Sequence, residues 1–212
     1  MRILILSTLF VASLHSNAAT YAVEEPIDRV RSIFRRIQRL TEGGETTVEM
    51  RSWGPEQVLG PPNTPGAGDI ETAWASRTQD GQNEWLELEF AEAVEPTEVI
   101  VHETYNPGAV YKVSGYSKSG MEAELWSGED PTETTKPRGI SKLEIKVKYK
   151  TKLIRIHLRS KEVPGWNEID AVGIKDADGR IQWAIRVKAS SSYASTDEPD
   201  EPKIVLGTAT RK

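Results

Sequence analysis

The residues best suited to chemistry in this sequence do not form a recognisable catalytic set. The chain has three histidines, and neither His102 nor His157, both inside alternating segments, stands in a His-x-x-x-His metal spacing. No Gly-x-Ser-x-Gly nucleophile elbow occurs, and most carboxylates alternate with apolar residues as on a solvated strand face. A glycosidase needs two carboxylates that face each other across a cleft, and no spacing indicates such a pair. We therefore predict that the protein is not an enzyme; a glycosidase-like enzyme is the weakest alternative.

The composition limits both the cross-links and the partners that the chain can have. Cysteine is absent, which excludes a disulfide framework and a thiolate metal site. The formal net charge is −5, whereas a nucleic-acid-binding surface is usually basic, so we expect no nucleic-acid partner.

The first residues predict export from the cell. One arginine precedes an apolar run within Met1–Leu14, and the small residues of Ser16–Ala19 follow, which is typical of a signal peptide. The run is shorter than the ~20 apolar residues that span a bilayer. We predict a signal peptide at 1–19, no transmembrane segment in the mature chain, and a secreted, periplasmic or cell-surface location.

Residues 20–45 are predicted to carry a short amphipathic helix. Apolar residues at Ile27, Val30, Phe34 and Ile37 fall on one helical stripe, and five arginines occupy the other faces. The favoured interpretation is a helical linker that packs on the domain or pairs with another copy. The alternative is a basic helix that contacts an anionic membrane or cell-wall surface.

From residue 46 to residue 186 the pattern alternates, and it predicts an all-β sandwich of short antiparallel strands. The residues expected in its core share the apolar side of three alternating segments: Leu86, Leu88, Phe90, Leu143, Ile145, Val147, Ile154, Ile156 and Leu158. Residues 187–212 are small, polar and acidic, and are predicted to form a disordered tail.

Four segments in order resemble the discoidin, or coagulation-factor type C-like, domains of the galactose-binding-like superfamily: Gln57–Asn63, Thr72–Ser76, Glu84–Phe90 and Gly165–Gly173. They are most similar to a variant found in secreted, uncharacterised bacterial proteins. The resemblance implies a jelly-roll β-sandwich in which the Glu168 segment returns beside the opening turn.

The same resemblance implies a structural Ca²⁺ between the opening turn and the closing strand. Carried over by position, its ligands would be Asn63, Asp69, Thr72 and Glu168, which offer the oxygen atoms that calcium prefers. The chain departs from the family where Gly-Pro-Pro-Asn replaces an Asp-Gly-Asn turn, so one carboxylate is missing unless Asp69 or Glu71 replaces it. The alternative is that these side chains only hydrogen-bond backbone amides.

Carbohydrate-binding members of the superfamily use loops at one end of the sandwich, where aromatic rings stack on sugars and polar groups fix hydroxyls. The matching candidates are Arg77, Tyr105, Asn106 and Trp166; the alternative is that they pack over the mouth of the sandwich. The predicted function is a non-catalytic, secreted binding module for an extracellular glycan. The alternative is a protein-interaction or adhesion domain that binds a cell-surface protein and no small molecule.

Overall fold

The computed structural model describes residues 50–117 and 119–194, together with the backbone of residues 205–206. The predicted signal peptide at 1–19 and the predicted helical linker at 20–45 lie outside the described residues. No helix in the described part of the chain has the length and apolar character needed to cross a membrane.

The described residues form a short 3₁₀ helix, Pro55–Val58, followed by ten strands. The strands are β1 (Glu84–Val94), β2 (Glu98–Tyr105), β3 (Val110–Tyr116), β4 (Glu122–Ser127), β5 (Gly139–Glu144), β6 (Thr151–Leu158), β7 (Glu168–Lys175), β8 (Ile181–Trp183), β9 (Arg186–Ala189) and β10 (Val205–Leu206).

Two antiparallel sheets contain these strands. One has the order β10-β9-β1-β6-β3-β4 and the other has the order β5-β2-β7-β8. The predicted all-β sandwich is therefore confirmed.

The core lies between the inner faces of the two sheets. In β1 the residues Leu86, Leu88 and Phe90 are fully buried, while the residues between them are partly exposed, as alternation requires. Strand β7 is buried along nearly its whole length because it is central in its sheet. Its burial explains why its sequence shows no simple alternation.

The predicted core is confirmed except at Val147. Strand β5 ends at Glu144, so the chain leaves the sheet there and the alternation no longer selects an inner face. Ile145 is still buried, but the Val147 side chain is 45 % exposed. The prediction for Val147 is wrong for this reason.

The sandwich continues past the predicted boundary at residue 186. Strand β9 pairs with β1 from Arg186 to Ala189, and the Tyr193 N–H donates to the Ala75 carbonyl at 2.9 Å. Residues 187–194 therefore belong to the fold, and the rest of the predicted tail lies outside the described residues except for the backbone of 205–206. Val187 and Ala189 are buried in the core, whereas Ser190, Ser191 and Ser192 are held by hydrogen bonds. The small polar composition of residues 190–192 conceals this in the sequence.

Candidate functional site

The opening turn and the closing strand meet at one end of the sandwich, as predicted. Trp74 and Ile169 form an isolated antiparallel bridge, with mutual N–H···O distances of 2.8 and 3.0 Å. The Ile70 N–H donates to Glu168 Oε2 at 3.2 Å. These contacts place the Glu168 segment directly beside the turn that precedes β1.

A β-bulge in β7 aims one carboxylate at the opening turn. Where β2 advances from His102 to Glu103, the partner on β7 moves from Ala171 to Ile169, so Asp170 is the extra residue. Bulges commonly redirect a side chain in this way.

Asp170 anchors the turn to the strand. Its side chain is 1 % exposed, and its Oδ1 accepts the backbone N–H groups of Asn63 and Thr64, each at 3.2 Å. The Thr64 hydroxyl donates to the same oxygen at 2.9 Å. Hydrogen bonds to a buried carboxylate are among the strongest in proteins, so this contact fixes the turn. The second oxygen, Oδ2, is buried without a hydrogen-bond partner.

Two further carboxyl groups adjoin at this end. Glu168 is 1 % exposed and its side chain contacts that of Asp69, which is exposed. Burial, and secondarily the negative charge of Asp69, raise the pKa of Glu168 to about 8. A proton on Glu168, or a cation, would relieve the repulsion between the two carboxyl groups.

The four predicted calcium ligands fall into two groups. Asp69 and Glu168 come together, whereas Asn63 supplies its backbone N–H to Asp170 and the Thr72 hydroxyl lies 2.9 Å from that of Thr64. Among the residues that the structure describes, no group of three or more His, Asp and Glu side chains could hold a metal. The two adjoining carboxyl groups, Asp69 and Glu168, are hard oxygen donors, which suit Ca²⁺ better than a softer metal.

Three aromatic rings lie together at the same end, and we call Trp53, Trp166 and Tyr193 the aromatic rim. Tyr193 contacts Trp53 at a ring-centroid distance of 5.5 Å and Trp166 at 5.9 Å, both edge to face. Tyr193 is 48 % exposed, and the two tryptophans are partly exposed. These exposures leave part of the aromatic surface of the rim in contact with solvent.

The backbone of Ala75–Ser76 hydrogen-bonds all three residues of the rim. The Ala75 carbonyl accepts the Tyr193 N–H at 2.9 Å, and the Ser76 carbonyl accepts the Trp166 indole N–H at 3.1 Å. The Ala75 N–H donates to the Trp53 carbonyl at 3.3 Å. Residues that are far apart in the sequence therefore present their rings together because one buried segment holds all three.

The aromatic rim also joins the carboxyl pair. The Trp53 indole N–H donates to Asp69 Oδ1 at 2.7 Å. Any ion or proton that changes the charge at Asp69 and Glu168 therefore acts one hydrogen bond away from a ring of the rim.

Unusual backbone conformations accumulate at this end. In the described part of the chain, the non-glycine residues with positive φ are Trp53, at 55°, and Asn106, at 41°. This region is costly for bulky side chains, and such strain concentrates at functional sites.

Asn106 holds the Trp166 loop in place. Its Nδ2 donates to the Trp166 carbonyl at 2.9 Å, and its own carbonyl accepts the Asn167 Nδ2–H at 2.8 Å. Gly165 has φ +95°, and a Cβ there would lie 2.4 Å from Asn106 Nδ2, so only glycine permits this approach. Asn106 therefore contacts the rim through the Trp166 carbonyl.

The remaining two predicted ligand residues lie around the rim. Arg77 directly follows the Ala75–Ser76 segment and is partly exposed. Its backbone N–H donates to Ser191 Oγ at 3.0 Å. Tyr105 is partly exposed at the end of β2, where it pairs with Glu168. The structure thus brings Tyr105, Asn106 and Trp166 to one end of the sandwich.

Sequence reasoning missed Trp53, Tyr193 and Asp170 as members of this end. Trp53 precedes a Gly-Pro pair, a setting in which a large ring has little reason to be core. Tyr193 is a lone aromatic residue in a serine-rich segment, a setting that indicates a ring packed on the domain. Asp170 gave no local signal, because its role depends on a bulge.

A cavity of about 360 Å³ lies elsewhere, between β4 and the segment that follows β5. Glu124 and Glu144 line it, but both are exposed, and they contact Ser127 and Lys146 respectively. A glycosidase acid is usually kept protonated by burial. This cavity therefore lacks the arrangement that a glycosidase would require.

Two comparisons with known proteins bear on these features. The family model for the C-terminal SD scarf domain of pappalysin-1 matches residues 43–183, which is more than half of the chain. A curated relative, F-box/LRR-repeat protein 4 from Bos taurus, is 36 % identical over 107 residues, covering 44 % of this chain and 17 % of the relative. The chain thus spans less than a fifth of that relative's length.

Proposed function

The chain belongs to the family of the C-terminal SD scarf domain of pappalysin-1, and from this premise we propose that it is a non-catalytic module that binds an extracellular carbohydrate at the aromatic rim. The proposal joins two lines of support. The signal-peptide pattern at 1–19 supports export, and the discoidin-like segments support ligand binding through loops at one end of a sandwich.

The observation that carries the proposal is the aromatic rim itself. Trp53, Trp166 and Tyr193 come from three distant segments, keep partial exposure and are held by the backbone of Ala75–Ser76. Sugar rings bind such surfaces through their C–H faces, while neighbouring polar groups select the hydroxyl pattern. Arg77 and Tyr105 are the neighbours proposed for that second role.

A structural Ca²⁺ is the proposed support of this site. Asp69 and Glu168 would hold the ion, and it would supply the positive charge that their contact lacks. Because Asp69 also accepts the Trp53 indole N–H, an ion there would favour the position of one ring of the rim.

The rival function is a protein-interaction or adhesion module without a small ligand. The outer face of the four-stranded sheet favours it, since Ile140 and Ile181 are 47 % and 45 % exposed there, beside the partly exposed Trp183. The exposed apolar residues of this face lie on strands β5 and β8, whereas the rim residues lie in loops. Variants at the two surfaces can therefore separate the two functions.

The test is a glycan array probed with the wild-type chain and with the variants Trp166→Ala, Tyr193→Ala and Ile181→Ala. We expect binding by the wild type and a loss of about tenfold or more in each rim variant, since tenfold corresponds to about 1.4 kcal/mol. Tyr111→Ala is the matched control, because Tyr111 lies under Arg159 on the outer face of the six-stranded sheet. Equal binding by all variants, or loss in Ile181→Ala alone, would contradict the proposal.

A further inference from the structure

A second carboxyl pair lies beneath the loop that joins β2 to β3. Glu103 is 2 % exposed, and its Oε2 accepts the Ser141 hydroxyl at 2.7 Å. Asp130, in the loop between β4 and β5, contacts the same hydroxyl through Oδ1. Thr132 Oγ1 lies 2.8 Å from Ser141 Oγ. Three oxygen-bearing side chains thus converge on one serine.

The number of protons in this group decides its charge. Ser141 has one hydroxyl hydrogen, which can be donated to Glu103 or to Asp130 but not to both. The Thr132 hydroxyl can satisfy Ser141 as an acceptor. The carboxyl oxygen that does not receive the serine hydrogen then faces Ser141 Oγ with no hydrogen between the two atoms. Both contacts can be hydrogen bonds only if one of the two carboxyl groups carries a proton.

The same carboxyl groups hold the backbone of the β2–β3 loop. Glu103 Oε1 accepts the Gly108 N–H at 3.0 Å, and Asp130 Oδ2 accepts the Val110 N–H at 3.0 Å. Gly108 has φ +100°, and a Cβ there would lie 2.8 Å from the Thr132 carbonyl oxygen. The loop is therefore tightly packed against the segment that carries Asp130.

This loop contains Asn106, the residue that holds the Trp166 loop. Asn106 is three residues from Glu103 and two from Gly108, and its side chain hydrogen-bonds the Trp166 carbonyl. A change that loosens the backbone of 106–110 therefore reaches a ring of the aromatic rim through one hydrogen bond.

We propose that Glu103, Asp130 and Ser141 form a shared-proton latch, closed below neutral pH, which holds the β2–β3 loop and makes ligand binding at the aromatic rim stronger in mildly acidic than in mildly alkaline solution. The part that concerns ligand binding rests on the proposed function. The latch itself does not.

The charges around the pair agree with this assignment. Burial and then the charge of Asp130 raise the pKa of Glu103 to about 7, and burial also raises the pKa of Asp130. Because the folded pKa of Glu103 lies above the ordinary value of 4.5, its contribution to stability is complete below pH ~4.5 and is lost as the pH rises through about 7.

The groups that face Glu103 come from three elements. Strand β5 supplies Ser141, the β4–β5 loop supplies Asp130 and Thr132, and the β2–β3 loop supplies the N–H groups of Gly108 and Ala109. Asp130 is the charged member of this set. The cations Arg138 and Lys142 act on His102, at the neighbouring position of β2.

The latch can be tested without a ligand by hydrogen–deuterium exchange of the full chain between pH 5.5 and 8.5, corrected for intrinsic exchange rates. We expect the protection of the amides of Asn106, Gly108, Ala109 and Val110 to fall by about tenfold between pH 6 and pH 8 in the wild type. In Glu103→Gln, which keeps the shape without an ionisable group, we expect no such change. Glu84→Gln is the matched control, because Glu84 is another buried carboxyl group, hydrogen-bonded to Ser190 and Ser191, and this variant should keep the wild-type pH dependence.

Ligand binding is then read on the same glycan array at pH 6 and at pH 8. Stronger wild-type binding at pH 6, and pH-independent binding by Glu103→Gln, would support the regulatory part. Constant protection of 106–110, or an unchanged pH profile in Glu103→Gln, would overturn the latch. Binding that is equal at both pH values would overturn its coupling to the rim. If no glycan binds, the proposed function fails, while the exchange measurement still decides on the latch.

Discussion

The two carboxyl pairs of this sandwich, Asp69–Glu168 and Glu103–Asp130, bring like charges together in different ways. In the first pair one member is exposed and the other is buried, and the two side chains contact each other directly. In the second pair a serine hydroxyl lies between the carboxyl groups, and backbone N–H groups occupy the remaining oxygens. We refer to them as the open pair and the closed pair.

The difference determines what can neutralise each pair. An ion such as Ca²⁺ needs six to eight oxygen ligands and a route from solvent, and of the two pairs it is the open pair that has an exposed member, Asp69. In the closed pair every carboxyl oxygen already accepts a hydrogen bond, from a serine hydroxyl or a backbone N–H. A single proton is therefore the species that can neutralise this pair. The two proposals therefore assign calcium to the open pair and a proton to the closed pair.

The largest expected effect tests whether Asp170 anchors the opening turn, which carries Asp69 of the open pair. Asp170→Ala removes the acceptor of two backbone N–H groups and one hydroxyl in a buried site. We expect a loss of about 3 kcal/mol in the free energy of unfolding, because those donors are left unsatisfied. That corresponds to roughly 10 °C in Tm by thermal denaturation.

The control for this prediction is Asp178→Ala, which removes an exposed aspartate from the turn between β7 and β8. Its effect should stay within about 0.5 kcal/mol, as is usual for surface positions. If the two variants lose the same stability, Asp170 does not anchor the opening turn.

The next effect separates the two pairs by their response to calcium. An ion that binds only the folded chain stabilises it by about 2.7 kcal/mol when its concentration is 100 times Kd. We expect the Tm in CaCl₂ to exceed that in chelator for the wild type and for Glu103→Gln, but not for Glu168→Gln. Identical melting of the wild type with and without chelator would remove the proposed role of the open pair.

The sequence was sufficient to predict the layers of the fold but not every part of its edge. Strict alternation identified Leu86, Leu88 and Phe90 correctly, because strand β1 has one buried and one solvated face. The same rule failed at Val147, where the alternation continues after the strand has ended. Strand β9 escaped prediction because its four residues offer too little pattern.

The sequence predicted only those parts of the candidate site that lie in family-like motifs. The segments around Thr72–Ser76 and Glu168 indicated correctly that the opening turn meets the closing strand. Asp170, Trp53 and Tyr193 could not be assigned from local pattern, since a bulge and long-range backbone hydrogen bonds bring them to this end. The closed pair shows the same limit, because Glu103 and Asp130 are 27 positions apart and meet only through Ser141.

The smallest expected effect examines the hydroxyl that distinguishes the closed pair from the open one. Ser141→Ala removes the shared donor but leaves both carboxyl groups, and we expect a loss of about 1 kcal/mol at pH 5, the usual net contribution of such a hydrogen bond. Chemical denaturation at pH 5 measures it against Ser127→Ala, whose hydroxyl binds the exposed Glu124 on β4. The calcium response should be unchanged in Ser141→Ala, because the open pair does not use this hydroxyl. If Ser141→Ala lowers the free energy of unfolding no more than Ser127→Ala does, the Ser141 hydroxyl does not stabilise the closed pair. The proposed shared proton would then lose its support.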